Sequence, residues 1–214
     1  MNNIIDKAIL PKGQSKGKLA DIRQTLARSF TGPIVRLLAH TGIHPNGITW
    51  FGFLLTLAAA LLIILGYFPA SGVIVLVAGF CDSLDGALAR HTGRVTRYGA
   101  VLDSTLDRAS EGVLLLAILV FYLAHASERP VIIASLVGAA LIGSYLVSYI
   151  RARAEGMGLT CTVGISTRTE RVVVMVLGLL FNQIMIALVV IALFSLFTAG
   201  QRLAHVRQQT KGDK

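Results

Sequence analysis

The chain has 214 residues, of which 54% are hydrophobic and only 14% charged, and its mean hydropathy is +0.70. A soluble domain carries about 25% charged residues, so this composition excludes a water-soluble globule and points to a membrane. The net charge of +9, with no aromatic-rich basic module beside it, excludes a nucleic-acid partner and reads as attraction to anionic lipid and to substrate phosphate.

In chain order, residues 1–18 have neither the apolar run nor the small-residue cleavage site of a secretory signal. Leu19, Ile22, Leu26 and Phe30 then recur at helical spacing around Arg23 and Arg28, which predicts an amphipathic helix lying in the membrane interface. Gly32-Pro33 ends it, and Thr31 caps a second short piece through Ala39. Apolar stretches follow at 46–66, 70–81, 109–127, 130–150, 172–181 and 184–200. A helix crosses about 30 Å of hydrocarbon in about 20 residues, a length the shorter stretches reach once their polar ends are counted. The predicted fold class is therefore an all-α integral membrane protein of six transmembrane helices preceded by an amphipathic interfacial N-terminal helix.

Three segments result: a cytoplasmic N-terminal region at 1–44, a six-helix domain at 45–205 and a cytoplasmic tail at 206–214. Asn46 is the expected N-cap of the first span. Gly66 to Ser71, Glu128-Arg129-Pro130 and Asn182-Gln183 make the outer turns. With six spans, nineteen of the twenty lysines and arginines fall on one side and only Arg129 opposite. The positive-inside rule makes that side cytoplasmic, both termini included, in a multi-pass protein of the cell membrane. Cys81 and Cys161 lie near this face and read as free thiols, and the five histidines lack metal-ligand spacing.

The chemistry concentrates between Cys81 and Glu111. Asp82 and Asp85 are i, i+3 and Asp103 and Asp107 are i, i+4, so each pair shares one helix face. The basic turn from His91 to Arg97 joins the two helices, and an antiparallel hairpin brings all four carboxylates together. Four clustered carboxylates near lipid repel and resist ionisation, and two divalent cations answer that difficulty. Oxygen-only ligands suit hard Mg²⁺ or Mn²⁺ and not zinc. Two metals beside arginines are an apparatus for moving a phosphoryl-type group.

At these residues the sequence resembles the CDP-alcohol phosphotransferase family, whose signature D-x2-D-G-x2-A-R-x8-G-x3-D-x3-D is met by Asp82, Asp85, Gly86, Ala89, Arg90, Gly99, Asp103 and Asp107. The resemblance extends to the six-helix layout, the N-terminal amphipathic helix, and Pro45-Asn46 with Ile48-Thr49 before the first span. It implies that a CDP-linked lipid loses CMP as an alcohol attacks the lipid-bearing phosphate, with Mg²⁺ or Mn²⁺, two ions, as cofactor. Asp82, Asp85 and Asp103 are the implied metal ligands, and Asp107 completes the metal site and serves as general base. Asn46, Thr49, Gly86, Ala89 and Arg90 are the implied binding residues for CDP-diacylglycerol.

Downstream, Ser148 to Glu155, Gly164-Ile165 and Arg168 to Arg171 resemble the branch of that family whose acceptor is inositol phosphate. Ser148, Arg151, Arg153, Arg171 and Arg207 are the implied acceptor site, although lysine is common in that branch at the Arg151 position. Arginines beside the metal hairpin favour a dianionic acceptor over a neutral one. The family also implies a homodimer. Glycerol 3-phosphate as acceptor, an archaeal ether-lipid donor, a membrane prenyltransferase and a metal or proton transporter are the competing readings. Transport favours acids at mid-span, whereas the second to fifth spans carry theirs at the ends.

Overall fold

The computed structural model describes residues 32–125 and 129–211. The interfacial helix expected at 19–30 therefore lies outside the described residues, as do Thr31 and Glu128. Among the described residues every regular element is an α-helix. The described residues fall into two units, one ending at Gly42 and the other beginning at Ile43. In the first, α1 spans 32–40 and closes with the Thr41 hydroxyl donating to the Leu38 carbonyl at 2.7 Å.

The second unit is a bundle of six helices: α2 (Pro45–Ile64), α3 (Phe68–His91), α4 (Arg97–Ala124), α5 (Pro130–Gly156), α6 (Arg168–Leu180) and α7 (Ile184–Gln209). Prolines stand in the first turn of α2, α3 and α5, where a missing N–H costs nothing and φ is already helical. α2 begins one residue before Asn46, with His44 in the cap position; Asn46 is inside the first turn and is not the N-cap.

The second span and the first half of the carboxylate segment are one continuous helix, α3, which starts at Phe68 rather than residue 70 and runs on to His91. Its end is sharply defined: Gly93 takes φ 67°, and the Arg94 N–H reaches the Ala89 carbonyl at 3.0 Å. That is the 6→1 bond of a Schellman cap. Three residues on, Thr96 caps α4 by accepting from the Gly99 N–H at 2.9 Å. These two devices make the α3–α4 hairpin.

At the other end of the bundle, Gly66 (φ 84°) turns α2 into α3, and Asn182 (φ 56°) makes the tight α6–α7 turn, a conformation asparagine tolerates better than most side chains. α7 runs unbroken through residues 205 and 206, so the expected start of a separate tail falls inside a helix.

The core gathers side chains from α2 to α7, with Ile63, Leu115, Ile118, Leu179 and Leu188 fully buried. Outward-facing Leu54, Leu61, Leu76, Leu193 and Leu203 are each more than half exposed. Apolar surface on that scale belongs in lipid rather than in water. Helices α2, α3, α5 and α7 are long and apolar enough to cross a membrane, and the chain is a membrane protein. The other two expected spans fall short on composition or length. α4 carries Asp103, Asp107, Arg108 and Glu111 within its first 15 residues, and α6 has 13 residues, about 20 Å at 1.5 Å per residue.

Close packing fixes α5 on α7: a Cβ at Gly143 would lie 2.9 Å from the Ser195 Cβ. The segment between α5 and α6 is tied down at several points. Buried Arg202 of α7 donates to the Val163 carbonyl at 2.9 Å and the Val147 carbonyl at 2.5 Å. The Ser166 N–H donates to the Thr198 hydroxyl at 3.0 Å, and the Gln209 amide to the Thr160 carbonyl at 2.7 Å. These bonds seat the first turn of α6, which enters the functional site. Cys81 and Cys161 are buried free thiols.

Candidate functional site

The α3–α4 hairpin brings Asp82, Asp85 and Asp103 together, with one carboxylate oxygen of each within 4.8 Å of the others. Asp85 is buried and accepts a hydrogen bond from the Thr49 hydroxyl of α2 at 2.6 Å. Three converging carboxylate oxygens are a donor set for a hard divalent cation. The residues present fit such an ion, because three like charges at this separation favour a counter-charge between them.

Asp107, one turn further along α4, is held differently. Its Oδ1 pairs with Arg168 Nη2 at 2.7 Å, and its Oδ2 lies 3.3 Å from Arg108 Nη1. The other arm of Arg168, Nη1, donates to Asp82 Oδ2 at 2.6 Å. A guanidinium from α6 thus bridges the two faces of the hairpin. A capping box sets the helix start that delivers it: the Thr167 N–H donates to the Glu170 carboxylate at 3.0 Å, and the Thr167 hydroxyl donates to the same carboxylate. This reciprocal arrangement fixes the first turn of a helix.

Beside the triad is an open pocket of about 280 Å³ that includes Asn46, Thr49, Asp85, Gly86, Ala89 and Arg90. The expected CDP-lipid residues therefore lie together, against two of the metal-site aspartates. Two glycines keep the pocket open. A Cβ on Gly86 would approach Arg90 Nη1 at 3.3 Å, and one on Gly99 would meet the Thr96 hydroxyl at 2.9 Å and Asn46 Oδ1 at 3.1 Å. On the far side of Asp82 and Asp107 is a narrower cavity of about 50 Å³ between α2, α3, α4 and α6.

The expected acceptor residues are more dispersed. Arg171 lines the narrow cavity, but it is buried and paired in bidentate fashion with Glu111: Nε to Oε1 at 2.6 Å and Nη2 to Oε2 at 2.8 Å. Its Nη1 donates to the Ser166 carbonyl at 3.2 Å. Arg151 pairs with Glu155 at 2.8 Å on the exposed end of α5. Ser148 is half-buried on the same helix, and Arg153 and Arg207 are exposed.

Sequence reasoning missed Arg168 and Glu111 as site residues. For Glu111 a signal exists, since 103, 107 and 111 recur every four residues and share one helix face. Arg168 reaches the site by tertiary packing of α6, which nothing in the local pattern reveals.

A family model described as CDP-alcohol phosphatidyltransferase matches residues 42–199. The archaetidylinositol phosphate synthase of Pyrococcus horikoshii is 38% identical over 189 residues, covering 88% of this chain and 94% of that protein. Among solved structures, the Mycobacterium tuberculosis phosphatidylinositol phosphate synthase with CDP-DAG bound superposes with a TM-score of 0.74 at 35% identity, covering 82% of this chain and 92% of that one. The same mycobacterial protein in complex with manganese and citrate gives 0.75 at 33% identity, covering 82% and 88%.

Proposed function

This chain belongs to the CDP-alcohol phosphatidyltransferase family, and on that premise we propose that it transfers the phosphatidyl group of CDP-diacylglycerol to a hydroxyl of inositol phosphate, forming phosphatidylinositol phosphate and CMP. The observation that carries the reading is the convergence of Asp82, Asp85 and Asp103, of which Asp85 and Asp103 stand on the wall of the pocket that also holds Asn46, Gly86, Ala89 and Arg90. Relatives at 37–38% identity are named archaetidylinositol phosphate synthase and phosphatidylinositol phosphate synthase, which supports inositol phosphate as the acceptor.

In this mechanism Asp82, Asp85, Asp103 and Asp107 hold two divalent ions, Mg²⁺ or Mn²⁺. Bound there, the ions supply charge stabilisation to the diphosphate and to the attacking and leaving oxygens. Asn46, Thr49, Gly86, Ala89 and Arg90 seat the cytidine diphosphate, Arg90 supplying a cation over the backbone of Gly86. Asp107 takes the proton of the attacking hydroxyl. A bond forms from that oxygen to the lipid-bearing phosphorus, and the bond from this phosphorus to the CMP oxygen breaks. Ser148, Arg151, Arg153, Arg171 and Arg207 receive the acceptor phosphate, the role for which guanidinium geometry is suited.

The same reading takes 45–205 as the catalytic bundle, with α4 and α6 completing six spans. Both termini and the site face the cytoplasm of the cell membrane, and two chains associate. The distribution of nineteen of twenty basic residues supports that sidedness.

The test is CMP release from purified protein in lipid nanodiscs with Mg²⁺. Release is expected only when CDP-diacylglycerol, or its ether-linked analogue, and inositol phosphate are both supplied. Release with glycerol 3-phosphate alone moves the assignment to phosphatidylglycerol phosphate synthesis, and none with any alcohol ends the transferase reading.

A further inference from the structure

The first turn of α6 carries two arginines that are held in opposite ways. Arg171 is 2% exposed, and all three of its nitrogens donate to protein oxygens: two to Glu111 and one to the Ser166 carbonyl. Glu111 is outside the carboxylate triad, so Arg171 is a fixed part of the wall. Arg168 is 27% exposed and spends both terminal nitrogens on Asp82 and Asp107, at 2.6 and 2.7 Å. Its Nε is buried and has no partner among the described residues. Arg168 is therefore satisfied through the carboxylates of the site and left with one orphan donor, which costs free energy when buried.

A carboxylate oxygen already held by a guanidinium is a poorer ligand for a metal ion, because the two cations compete for its lone pairs and repel each other. The triad of Asp82, Asp85 and Asp103 can take a first divalent ion while Asp107 remains paired. A second ion needs Asp107, whose Oδ1 is engaged by Arg168 and whose Oδ2 lies near Arg108. Arg168 and Arg171 both line the narrow cavity of about 50 Å³, so a guanidinium released from the aspartates stays within reach of a ligand there.

We infer that Arg168 is an exchangeable counter-ion of this site: it ties Asp82 to Asp107, is displaced by the second divalent ion, and then presents its guanidinium to a substrate phosphate in the cavity it shares with Arg171. This rests on the metal reading of the aspartates and adds to it an order of events, metal loading before acceptor binding. It also divides the phosphate-binding role between two arginines, Arg171 held in place by Glu111 and Arg168 movable.

Mn²⁺ binding, followed by electron paramagnetic resonance and calorimetry on the full chain in nanodiscs without substrate, tests this apart from turnover. Wild type is expected to bind one ion tightly and a second weakly. Arg168→Gln removes the competitor, and the weak site is expected to tighten by about tenfold, within the usual range of coupling between two ligands. Arg168→Lys keeps the charge without the two-pronged fork, and its weak site is expected to fall between the two. Arg97→Gln, on the exposed α3–α4 turn, removes a charge without touching the carboxylates and is expected to leave both sites unchanged. An unchanged or weaker second site in Arg168→Gln overturns the inference, as does equal tightening in Arg97→Gln. Should Arg168→Gln fail to fold, a second site in Arg168→Lys no tighter than wild type overturns it. Two Mn²⁺ bound with and without Arg168 at equal affinity removes the counter-ion and leaves the metal reading standing. Absence of Mn²⁺ binding by wild type removes both.

Discussion

At the scale of single residues, the four aspartates are chemically alike and placed unlike. Asp85 is buried under the Thr49 hydroxyl, and with Asp82 and Asp103 it forms a cluster of converging oxygens. Asp107 instead faces the narrow cavity between two arginines. A carboxylate so placed can be drawn on as a base without dismantling the triad. Asp107→Asn preserves size but cannot take a proton from a hydroxyl. A general base contributes roughly 10²–10⁴-fold to rate. The variant is therefore expected to lose at least about a hundredfold in CMP release while still binding CDP-diacylglycerol, read by calorimetry in parallel with turnover. Full turnover in Asp107→Asn would take the base away from this residue.

At the scale of elements, α3 and α4 form the site and α6 completes it. The Glu111–Arg171 pair ties α4 to α6 with both side chains at 9% exposure or less. Removing one partner of a buried ion pair strands the other charge and costs roughly 3–5 kcal/mol, whereas replacing both by apolar residues is often neutral. Glu111→Gln should therefore lower the thermal unfolding midpoint in detergent, and Glu111→Leu combined with Arg171→Met should recover most of the loss. If the double variant is no more stable than the single one, the pair is not a simple buried tie.

The same elements separate what the sequence reveals from what it hides. The α3–α4 hairpin is legible because its carboxylates and caps lie within a short stretch, where helical spacing and turn chemistry act locally. The position of α6 is not. It depends on Arg202, Thr198 and Gln209 holding the segment before it, contacts between residues more than 30 positions apart. Arg168 was therefore readable as a basic residue near the site but not as a bridge across two aspartates. Arg171 stood in the expected acceptor set, and its buried partner Glu111 escaped notice although it continues the Asp103–Asp107 stripe.

At the scale of the whole molecule, sidedness turns on whether α4 and α6 cross the membrane. Composition alone assigns spans to α2, α3, α5 and α7. α4 pairs Asp107 and Glu111 with Arg168 and Arg171 of α6, and beyond Glu111 it is apolar, with Leu114, Leu115 and Ile118 in the core. If α4 crosses, positions 97 and 129 are on opposite faces; if α6 crosses, position 181 shares the face of 129.

Single cysteines placed by Arg97→Cys, Arg129→Cys and Phe181→Cys test this directly, since the native Cys81 and Cys161 are buried. With a membrane-impermeant maleimide, Arg129→Cys and Phe181→Cys are expected to label in intact cells, and Arg97→Cys only in inside-out vesicles. Labelling of positions 97 and 129 from the same side would mean that α4 does not cross, and the reversed pattern would put the aspartates outside the cell. The expected pattern places the carboxylates, the arginines that pair with them and the basic ends of α5 and α7 on the face where a nucleotide-linked lipid and a phosphorylated alcohol meet them.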